Sequence, residues 1–388
     1  MEIDTLSVNQ EIMSRIALCG EIPFKQNING MKSKYVADQI TRMKKQKLLV
    51  PNKELNRIRL TRSGRDKLRE DSERLYLHYQ TLTASDITKI PVERANDDGM
   101  TNHFFIELGS HIDNIKLKFA PDSNNFGRGR KNSDIMESVL GGSSFFGSSI
   151  KFFPDKEGDL SISGMFSNLD INERYFFSNR IAKKTFDYAR TSNSTNTGLY
   201  FAGGNSYVVY RQCLNRASTE ASEKSIRDTL RDLHTLAYGE ESVSKQLSVA
   251  PLGQCILLEP KYDGGKFTDI LASYKMREAF APRRIYSDFY IIPEENNLAT
   301  YPVSVLSTPN FREKLHAAFL LSEQVQHYLT KNPQMPIYEF VTCNYSNVLK
   351  IRSVKPPEFI IVCMKWQEDL LRFLLKGYQS RMHIIIFD

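Results

Sequence analysis

Residues 25–69 constrain the fold of this 388-residue chain more than any other segment. They contain eight Lys and six Arg against three acidic residues, a net charge of +11, whereas the whole chain carries only +7. The rest of the chain is therefore slightly acidic, and the positive charge is local. A basic surface concentrated in one small region is typical of a polyanion-binding site.

Apolar spacing in this region predicts helices. Residues 12–17 form an apolar stripe at helical period, which Gly20 and Pro23 end. A second helix is predicted from Ser33, a residue type that can cap a helix N-terminus, with an apolar stripe of Val36, Ala37, Ile40 and Met43. Basic residues occupy the other sides of that helix.

The pattern then changes to that of short strands. Residues 48–50 are apolar and predict a buried strand, after which Pro51 and Asn52 are expected to turn the chain. Residues 56–60 alternate between polar and apolar side chains, as in a half-buried strand, with Arg57 and Arg59 on one face. A last helix is predicted to reach about residue 79. The order is helix, helix, hairpin and helix.

The segment "QKLLVPNKELNRIRLTRSGRDKL" resembles bacterial winged helix-turn-helix proteins, from the end of the recognition helix through the wing to the following helix. In such folds the recognition helix enters the DNA major groove, and the wing contacts phosphates or the minor groove. The resemblance implies a DNA-binding surface on this helix and hairpin, whereas a solvated basic helix without a ligand is the alternative. The implied residues are Lys32, Lys34, Tyr35, Gln39, Arg42, Lys45, Arg57, Arg59 and Arg62.

Composition places the chain among soluble globular proteins. Apolar residues make up 41% and charged residues 25%, and the length fits two or three domains. The sequence shows no apolar run of about 20 residues, the length that spans a bilayer, and no secretory signal at its start. The five Cys are scattered, with none in a C-x-x-C pair. Reduced cysteines in a cytoplasmic protein are therefore expected, rather than a zinc site or a disulfide framework.

Several enzyme motifs are absent from the sequence. The stretch "GRGRKNS" lacks the spacing of a phosphate-binding P-loop, although Arg128, Arg130 and Lys131 are candidates for contacts with a DNA backbone. The chain contains no H-E-x-x-H, G-x-S-x-G or G-x-G-x-x-G motif. It also lacks the His-x-His pair of rolling-circle nucleases and the Arg, His-x-x-Arg and Tyr series of tyrosine recombinases. No cofactor and no metal are therefore expected.

After residue 171, predicted strands alternate with predicted helices, which indicates an α/β layer architecture with a mixed sheet. The fold class expected is α+β. Residues 1–80 would form the winged helix-turn-helix, 81–170 a linker and loop-rich region with short strands, and 171–388 the larger α/β domain. Predicted helices cover residues 172–190, 218–239 and 311–330, and the segment 356–377 reads as a buried strand feeding into a helix. Predicted strands include a hairpin at 198–212, then 254–260, 283–294, 299–307 and 382–388.

This order of elements resembles the replication-relaxation family of Gram-positive plasmids and integrative elements, whose C-terminal half looks like a restriction-endonuclease-type sheet. The resemblance implies an acidic residue on a first strand, matched by Asp288, and another on the next strand, where "ATYPVSVLS" has none. Glu259 and Lys261 offer an E-x-K pair, but the Pro260 between them disfavours a regular central strand. Since a nuclease of this kind needs two carboxylates to hold Mg²⁺, an inactive scaffold is favoured.

The resulting hypothesis is a cytoplasmic, sequence-specific, double-stranded DNA-binding protein of a plasmid or mobile element. It would act in replication, transfer or transcriptional control. Expected partners are DNA, other replication or transfer proteins, and further copies of the chain in a homo-oligomer, with no membrane. Two alternatives remain open: a metal-dependent DNA nuclease that uses Asp288, Glu259 and Lys261, and a regulator whose α/β half senses a ligand or peptide.

Overall fold

The protein is a mixed α and β fold with helices and mixed sheets. The computed structural model describes residues 7–26, 28, 31–53, 56–73, 75–76, 79, 92–112, 172, 174–178, 197–211, 254–259, 288–294 and 296–387. The chain divides into two compact units. Unit 1 comprises Met1–Leu160 and Tyr175–Arg190, and unit 2 comprises Ser161–Arg174 and Thr191–Asp388. Among the helices in these ranges, none is long and apolar enough to cross a membrane.

Unit 1 combines helices with a small antiparallel sheet. Its three strands lie in the order β1-β3-β2, and β4 pairs with β5 in parallel. The buried side chains of α1, α2 and β3, among them Ile12, Ile40 and Ile58, form one core. The elements are α1 (Val8–Cys19), β1 (Ile22–Pro23), α2 (Ser33–Lys45), β2 (Leu49–Asn52), β3 (Arg57–Leu60), α3 (Arg62–Asp71), α4 (Val92–Glu107), β4 (His111–Ile112) and β5 (Tyr175–Ser178).

The helix ends of unit 1 follow from local chemistry. A capping box begins α1, in which the Gln10 backbone N–H donates to Ser7 Oγ at 3.3 Å and the Ser7 N–H donates to Gln10 Oε1 at 3.0 Å. Gly20, with φ of 77°, ends this helix as expected. The prediction that Ser33 caps α2 was wrong: Ser33 is the first helical residue, and the N-cap position belongs to Lys32, which makes no side-chain cap hydrogen bond.

A tight junction joins β3 to α3. Thr61 Oγ1 accepts a hydrogen bond from the Gly64 N–H at 3.0 Å, and the Thr61 N–H donates to the Leu48 carbonyl oxygen, also at 3.0 Å. A Cβ placed on Gly64 would lie 2.1 Å from that same Leu48 oxygen. Thr61 and Gly64 therefore let the start of α3 approach the backbone that precedes β2.

Unit 2 contains two groups of strands. β6 pairs with β7 in antiparallel fashion, and β7, β8 and β9 are parallel. β10, β11 and β12 form a parallel sheet, and every residue of β9 and of β11 is buried. The elements are β6 (Thr197–Ala202), β7 (Asn205–Arg211), β8 (Gln254–Glu259), β9 (Asp288–Pro293), α5 (Asn296–Leu306), α6 (Phe311–Leu321), α7 (Glu323–Lys331), β10 (Ile337–Glu339), α8 (Ser346–Val354), β11 (Phe359–Cys363), α9 (Glu368–Leu374) and β12 (Met382–Ile386).

The buried segment 340–345 joins these two groups of strands. The Ile291 N–H of β9 donates to the Cys343 carbonyl oxygen at 3.0 Å, and Tyr290 forms an isolated antiparallel bridge with Asn344. At the other side of the segment, the Phe340 N–H donates to the Val362 carbonyl oxygen of β11 at 2.8 Å. Polar side chains of this segment are therefore held against the start of β9.

Several secondary-structure predictions were confirmed. The hairpin at 198–212 appears as β6 and β7, with positive φ at Gly203 and Gly204 in its turn. The strands at 254–260, 283–294 and 382–388 appear as β8, β9 and β12, and the strand-to-helix segment as β11 and α9. The helix predicted at 218–239, the basic loop at 128–131 and Lys261 lie outside the described residues.

Other secondary-structure predictions were wrong. Within the strand predicted at 299–307, residues 299–306 form part of α5, because Ala299, Val303 and Leu306 are buried at helical spacing despite the β-branched composition. Within the predicted helix 172–190, residues 175–178 are strand β5, where Phe176 stacks on Phe105 at 4.2 Å between ring centroids. The predicted helix 311–330 is two helices separated at Ser322.

Two further differences concern unit 1. Pro51 and Asn52 lie within β2, so the hairpin turns after them rather than at them. Within the region predicted to be linker and short strands, Val92–Glu107 forms α4. The Asn102 side chain of α4 donates to the Leu18 carbonyl oxygen of α1 at 3.0 Å, a long-range contact that local sequence does not reveal.

Candidate functional site

The outward side of α2 is strongly basic. Val36, Ile40 and Met43 are buried, whereas Ala37, also predicted to belong to the apolar stripe, is exposed. The side chains on the opposite side of the helix are exposed. Tyr35, half exposed at 50%, is a large aromatic ring on this outward side. Asp38 is also exposed on this side of α2 and lowers the net positive charge of that side by one. We define the α2 surface as Lys32, Lys34, Tyr35, Arg42 and Lys45, all of which are exposed.

Two of the predicted DNA-contact residues, on the hairpin and at the start of α3, are exposed cations. The Arg59 side chain on β3 is 55% exposed, and its Nη1 lies 3.9 Å from Glu21 Oε1. Arg62, the first residue of α3, is exposed. Seven of the nine residues that the winged-helix resemblance implied are therefore accessible to a large ligand in this structure.

The other two, Gln39 and Arg57, are buried. Gln39 is 8% exposed because it lies three residues after Val36 and four before Met43, on the stripe of α2 that faces the core. Arg57 is 7% exposed. Its guanidinium lies close enough to His103 of α4 to lower the pKa of that imidazole. Neither side chain is available for the DNA contact that the sequence suggested, because helix geometry and α4 enclose them.

The environment of Arg57 is a buried polar cluster between α1 and α4. Arg15 Nη1 lies 2.5 Å from Glu107 Oε1, and Arg15 Nε lies 2.8 Å from Glu11 Oε1. His103 Nε2 is 3.0 Å from Gln26 Oε1. Burial, reinforced by the charges of Arg15 and Arg57, lowers the pKa of His103 to about 4. The imidazole is therefore neutral at neutral pH, and the cluster holds α4 in place.

In unit 2, several polar side chains converge on Asp288, the first residue of β9. Its carboxylate is buried, with 8% of the side chain exposed, and it accepts four hydrogen bonds from three different segments. Two of the donors are cations on α6 and α8, and two are neutral side chains in or next to the segment 340–345. The contacts to Asp288 are Arg312 Nη2 at 2.8 Å on Oδ2, and Lys350 Nζ at 2.9 Å, Ser346 Oγ at 3.1 Å and Asn344 Nδ2 at 3.2 Å on Oδ1.

A second layer of polar groups surrounds these contacts. Arg312 Nη2 also donates to the Tyr290 hydroxyl at 3.2 Å, and that hydroxyl donates to Gln254 Oε1 at 3.0 Å. Ser346 Oγ lies within hydrogen-bond distance of Asn344 Oδ1 as well as of Asp288 Oδ1, and its single hydroxyl proton is shared between these two acceptors. We refer to Gln254, Asp288, Tyr290, Arg312, Asn344, Ser346 and Lys350 as the Asp288 cluster.

The electrostatics of the cluster favour an ionised Asp288. Burial by itself would raise the pKa of this carboxyl, but the hydrogen bond from Lys350 and the charges of Lys350 and Arg312 outweigh burial and hold the pKa below its ordinary value. Both cations are about half exposed, at 55% and 49% of their side chains. The arrangement is a buried anion beneath two cations that reach solvent.

The proposed nuclease residues do not come together. In the register of β8 and β9, Asp288 is opposite Gln254, whereas Glu259 is opposite Pro293. Glu259 is therefore five residues along the strand from Asp288, which is roughly 16 Å at the rise of a β-strand. One Mg²⁺ ion cannot bridge that separation, since its ligand distances are about 2 Å. Among the described residues, no group of three or more His, Cys, Asp or Glu could hold a metal ion.

Sequence reasoning missed most of the Asp288 cluster. It selected Asp288 from a family pattern, but Arg312, Asn344 and Lys350 lie 24, 56 and 62 residues further along the chain. They belong to helices and to a buried turn whose packing no local pattern reveals. The signal that was available is the run of polar residues in "TCNYSN", which is unusual for a segment that the structure buries.

Comparison with protein-family models, with curated proteins and with solved structures finds no match to this chain. The likeness to winged helix-turn-helix proteins and to the replication-relaxation family therefore depends on the residues and elements described above.

Proposed function

We propose that this chain binds double-stranded DNA through a winged helix-turn-helix in unit 1. The observation that carries the proposal is the α2 surface. Three exposed cations and an exposed tyrosine lie on the outward side of the helix, a fourth exposed cation, Lys32, is its N-cap residue, and a β-hairpin follows directly. The sheet order β1-β3-β2 and the tight junction between β3 and α3 support the same assignment. In this arrangement α2 is the recognition helix and the β2–β3 hairpin is the wing.

The residues divide into two roles on this proposal. Tyr35 and Arg42 project from the outward side of α2, where the guanidinium can donate two hydrogen bonds to a guanine edge and the ring can pack against a base or sugar. Lys32, Lys34 and Lys45 on the same surface contact phosphates. Arg59 and Arg62 contact the backbone beside the groove, and contacts of this kind position the protein without reading sequence.

A comparison of two pairs of variants tests these roles. Tyr35→Ala and Arg42→Ala should reduce the preference for the chain's own selected sites, because each lost base contact removes about 1–3 kcal/mol of discrimination. Arg59→Ala and Arg62→Ala should weaken binding to all sequences alike. The measurement is selection of bound duplexes from a random pool, followed by affinity for selected and scrambled sites. Equal loss of discrimination in both pairs would contradict the assignment of α2 as the reading helix.

The biological setting proposed is replication, transfer or transcriptional control of a plasmid or mobile element, which the likeness to the replication-relaxation family supports. Metal-dependent DNA cleavage is less favoured by the geometry of unit 2. Four hydrogen bonds occupy both oxygens of Asp288, and Glu259 belongs to the other end of its strand. We therefore propose that Asp288 orders Arg312 and Lys350 rather than a metal ion.

A further inference from the structure

We infer that Arg312 and Lys350 form a binding site for a phosphate group on unit 2. Both side chains contact the buried Asp288 carboxylate, on different oxygens, and both are about half exposed. One carboxylate therefore holds two cations at the boundary between the interior and solvent. This inference does not depend on DNA binding by the α2 surface, because it uses none of those residues.

Both cations keep donors for a ligand. Within the described residues, the two hydrogen bonds of Arg312 use Nη2, which leaves its Nε–H and its Nη1 amino group. Lys350 Nζ donates to Asp288 Oδ1, and an ammonium has two further N–H groups. A guanidinium edge with an adjacent ammonium suits the oxygens of a phosphate, since Arg donates to two of them and Lys supplies a point charge.

Asp288 orders the side chains of Arg312 and Lys350 before a ligand binds. Long cationic side chains lose rotamer freedom when they order around a ligand, and this loss weakens binding. Here the carboxylate has already fixed both side chains, and Asn344 and Ser346 in turn fix the carboxylate. The supporting hydrogen bonds are buried, whereas the ends of the cations are exposed. This is the arrangement of a preorganised binding site.

A second carboxylate, that of Glu339, lies near the cluster. The Thr342 N–H and hydroxyl donate to it at 3.2 and 2.7 Å. Burial raises the pKa of Glu339, and hydrogen bonds from Thr342 and from the Asn344 side chain act in the opposite direction. Two ligand sources share the chemistry required: free phosphates such as inorganic phosphate or a nucleoside diphosphate, and the phosphates of a nucleic-acid backbone.

Lysine footprinting on the full-length wild-type chain tests the site directly. The protein is acylated with an amine-reactive ester at constant ionic strength, in chloride alone or with inorganic phosphate, ADP or duplex DNA, and modification at each Lys is read by mass spectrometry. We expect at least one phosphate ligand to slow modification of Lys350 severalfold and to leave Lys314, an exposed residue of α6, unchanged. Protection by phosphate or ADP assigns a free ligand, and protection by duplex DNA only assigns a nucleic-acid backbone. Equal modification of Lys350 in every condition would overturn the inference.

Variants provide the second measurement. Arg312→Gln and Lys350→Gln should each weaken binding of the protecting ligand at least tenfold in calorimetric titration, whereas Lys314→Gln should bind like the wild type. Far-UV circular dichroism establishes that each variant is folded. Arg312→Lys, which keeps the charge but loses the two-pronged donor, should fall between these extremes. Unchanged affinity in folded Arg312→Gln and Lys350→Gln would show that the protection arises elsewhere.

Discussion

The α2 surface of unit 1 and the Asp288 cluster of unit 2 both gather cations, but they do so in opposite ways. The α2 surface places its cations on the exposed side of one helix, within residues 32–45. The Asp288 cluster draws its residues from two strands, two helices and a turn between residues 254 and 350, and anchors them on a buried carboxylate. The first is suited to a long polyanion, and the second to a single anionic group. Local charge can therefore be read from sequence, whereas a charge network assembled by packing cannot.

The largest expected effect is the loss of stability of unit 1 in the variant Gly64→Ala. The new Cβ would lie 2.1 Å from the Leu48 carbonyl oxygen, so the start of α3 must move away from the hairpin. Overpacking of this kind costs about 3 kcal/mol, and it should destabilise unit 1 and reduce DNA affinity. Denaturant unfolding measures the change. Gly377→Ala is the matched control, because a Cβ there meets nothing within 4 Å. Gly64→Ala should be less stable than Gly377→Ala, and equal stability of the two variants would contradict the prediction.

Replacement of Asp288 should lower the stability of the protein, whereas replacement of exposed α2 cations should not. Asp288→Ala removes the acceptor of the buried Asn344 amide and the counter-ion of Arg312 and Lys350, which costs about 2 kcal/mol. Exposed surface substitutions such as Lys34→Gln or Lys45→Gln should change stability by less than about 0.5 kcal/mol. Denaturant unfolding of the full chain compares the two sets. If Asp288→Ala were as stable as the wild type, the cluster would not be the preorganised network described here.

A change of pH should destabilise unit 1 through His103. The folded pKa of this imidazole is about 4, below the ordinary value of 6.5, so the unfolded state binds the proton first. Stability from this group is complete above pH 6.5 and is lost as the pH falls toward 4. From about pH 7.5 to about pH 5.5 the loss should be about 1.4 kcal/mol. The test is unfolding at both pH values for the wild type and His103→Gln. The variant should lose less stability, and an identical loss would contradict a buried, neutral His103.

The sequence predicted unit 1 better than unit 2 for a physical reason. The stripe of Val36, Ile40 and Met43 and the alternation at residues 57–60 are short-range patterns that the helix and strand periods impose. Arg57 is buried, and its charge acts on His103 of α4, a helix that begins 35 residues later, so this environment could not be seen locally. The prediction of a strand at residues 299–307 was wrong because it followed the β-branched residues there and missed an apolar stripe at helical period. Asp288 was named in the sequence only as a residue of the alternative nuclease site, and its hydrogen-bond partners are set by tertiary packing.

The most direct test of DNA binding by the α2 surface is the salt dependence of duplex affinity. The full chain is compared with the triple variant Lys34→Gln, Arg42→Gln and Lys45→Gln, and with a charge-matched control that changes the exposed Lys314, Lys331 and Lys376 of unit 2. Fluorescence anisotropy with one duplex, over a range of salt concentrations, gives the slope of log affinity against log salt. If the three α2 cations contact phosphates, the slope should fall by about 3 in the first variant and stay unchanged in the control. Equal slopes and affinities in the two triple variants would contradict the proposal that α2 is the DNA-contacting helix.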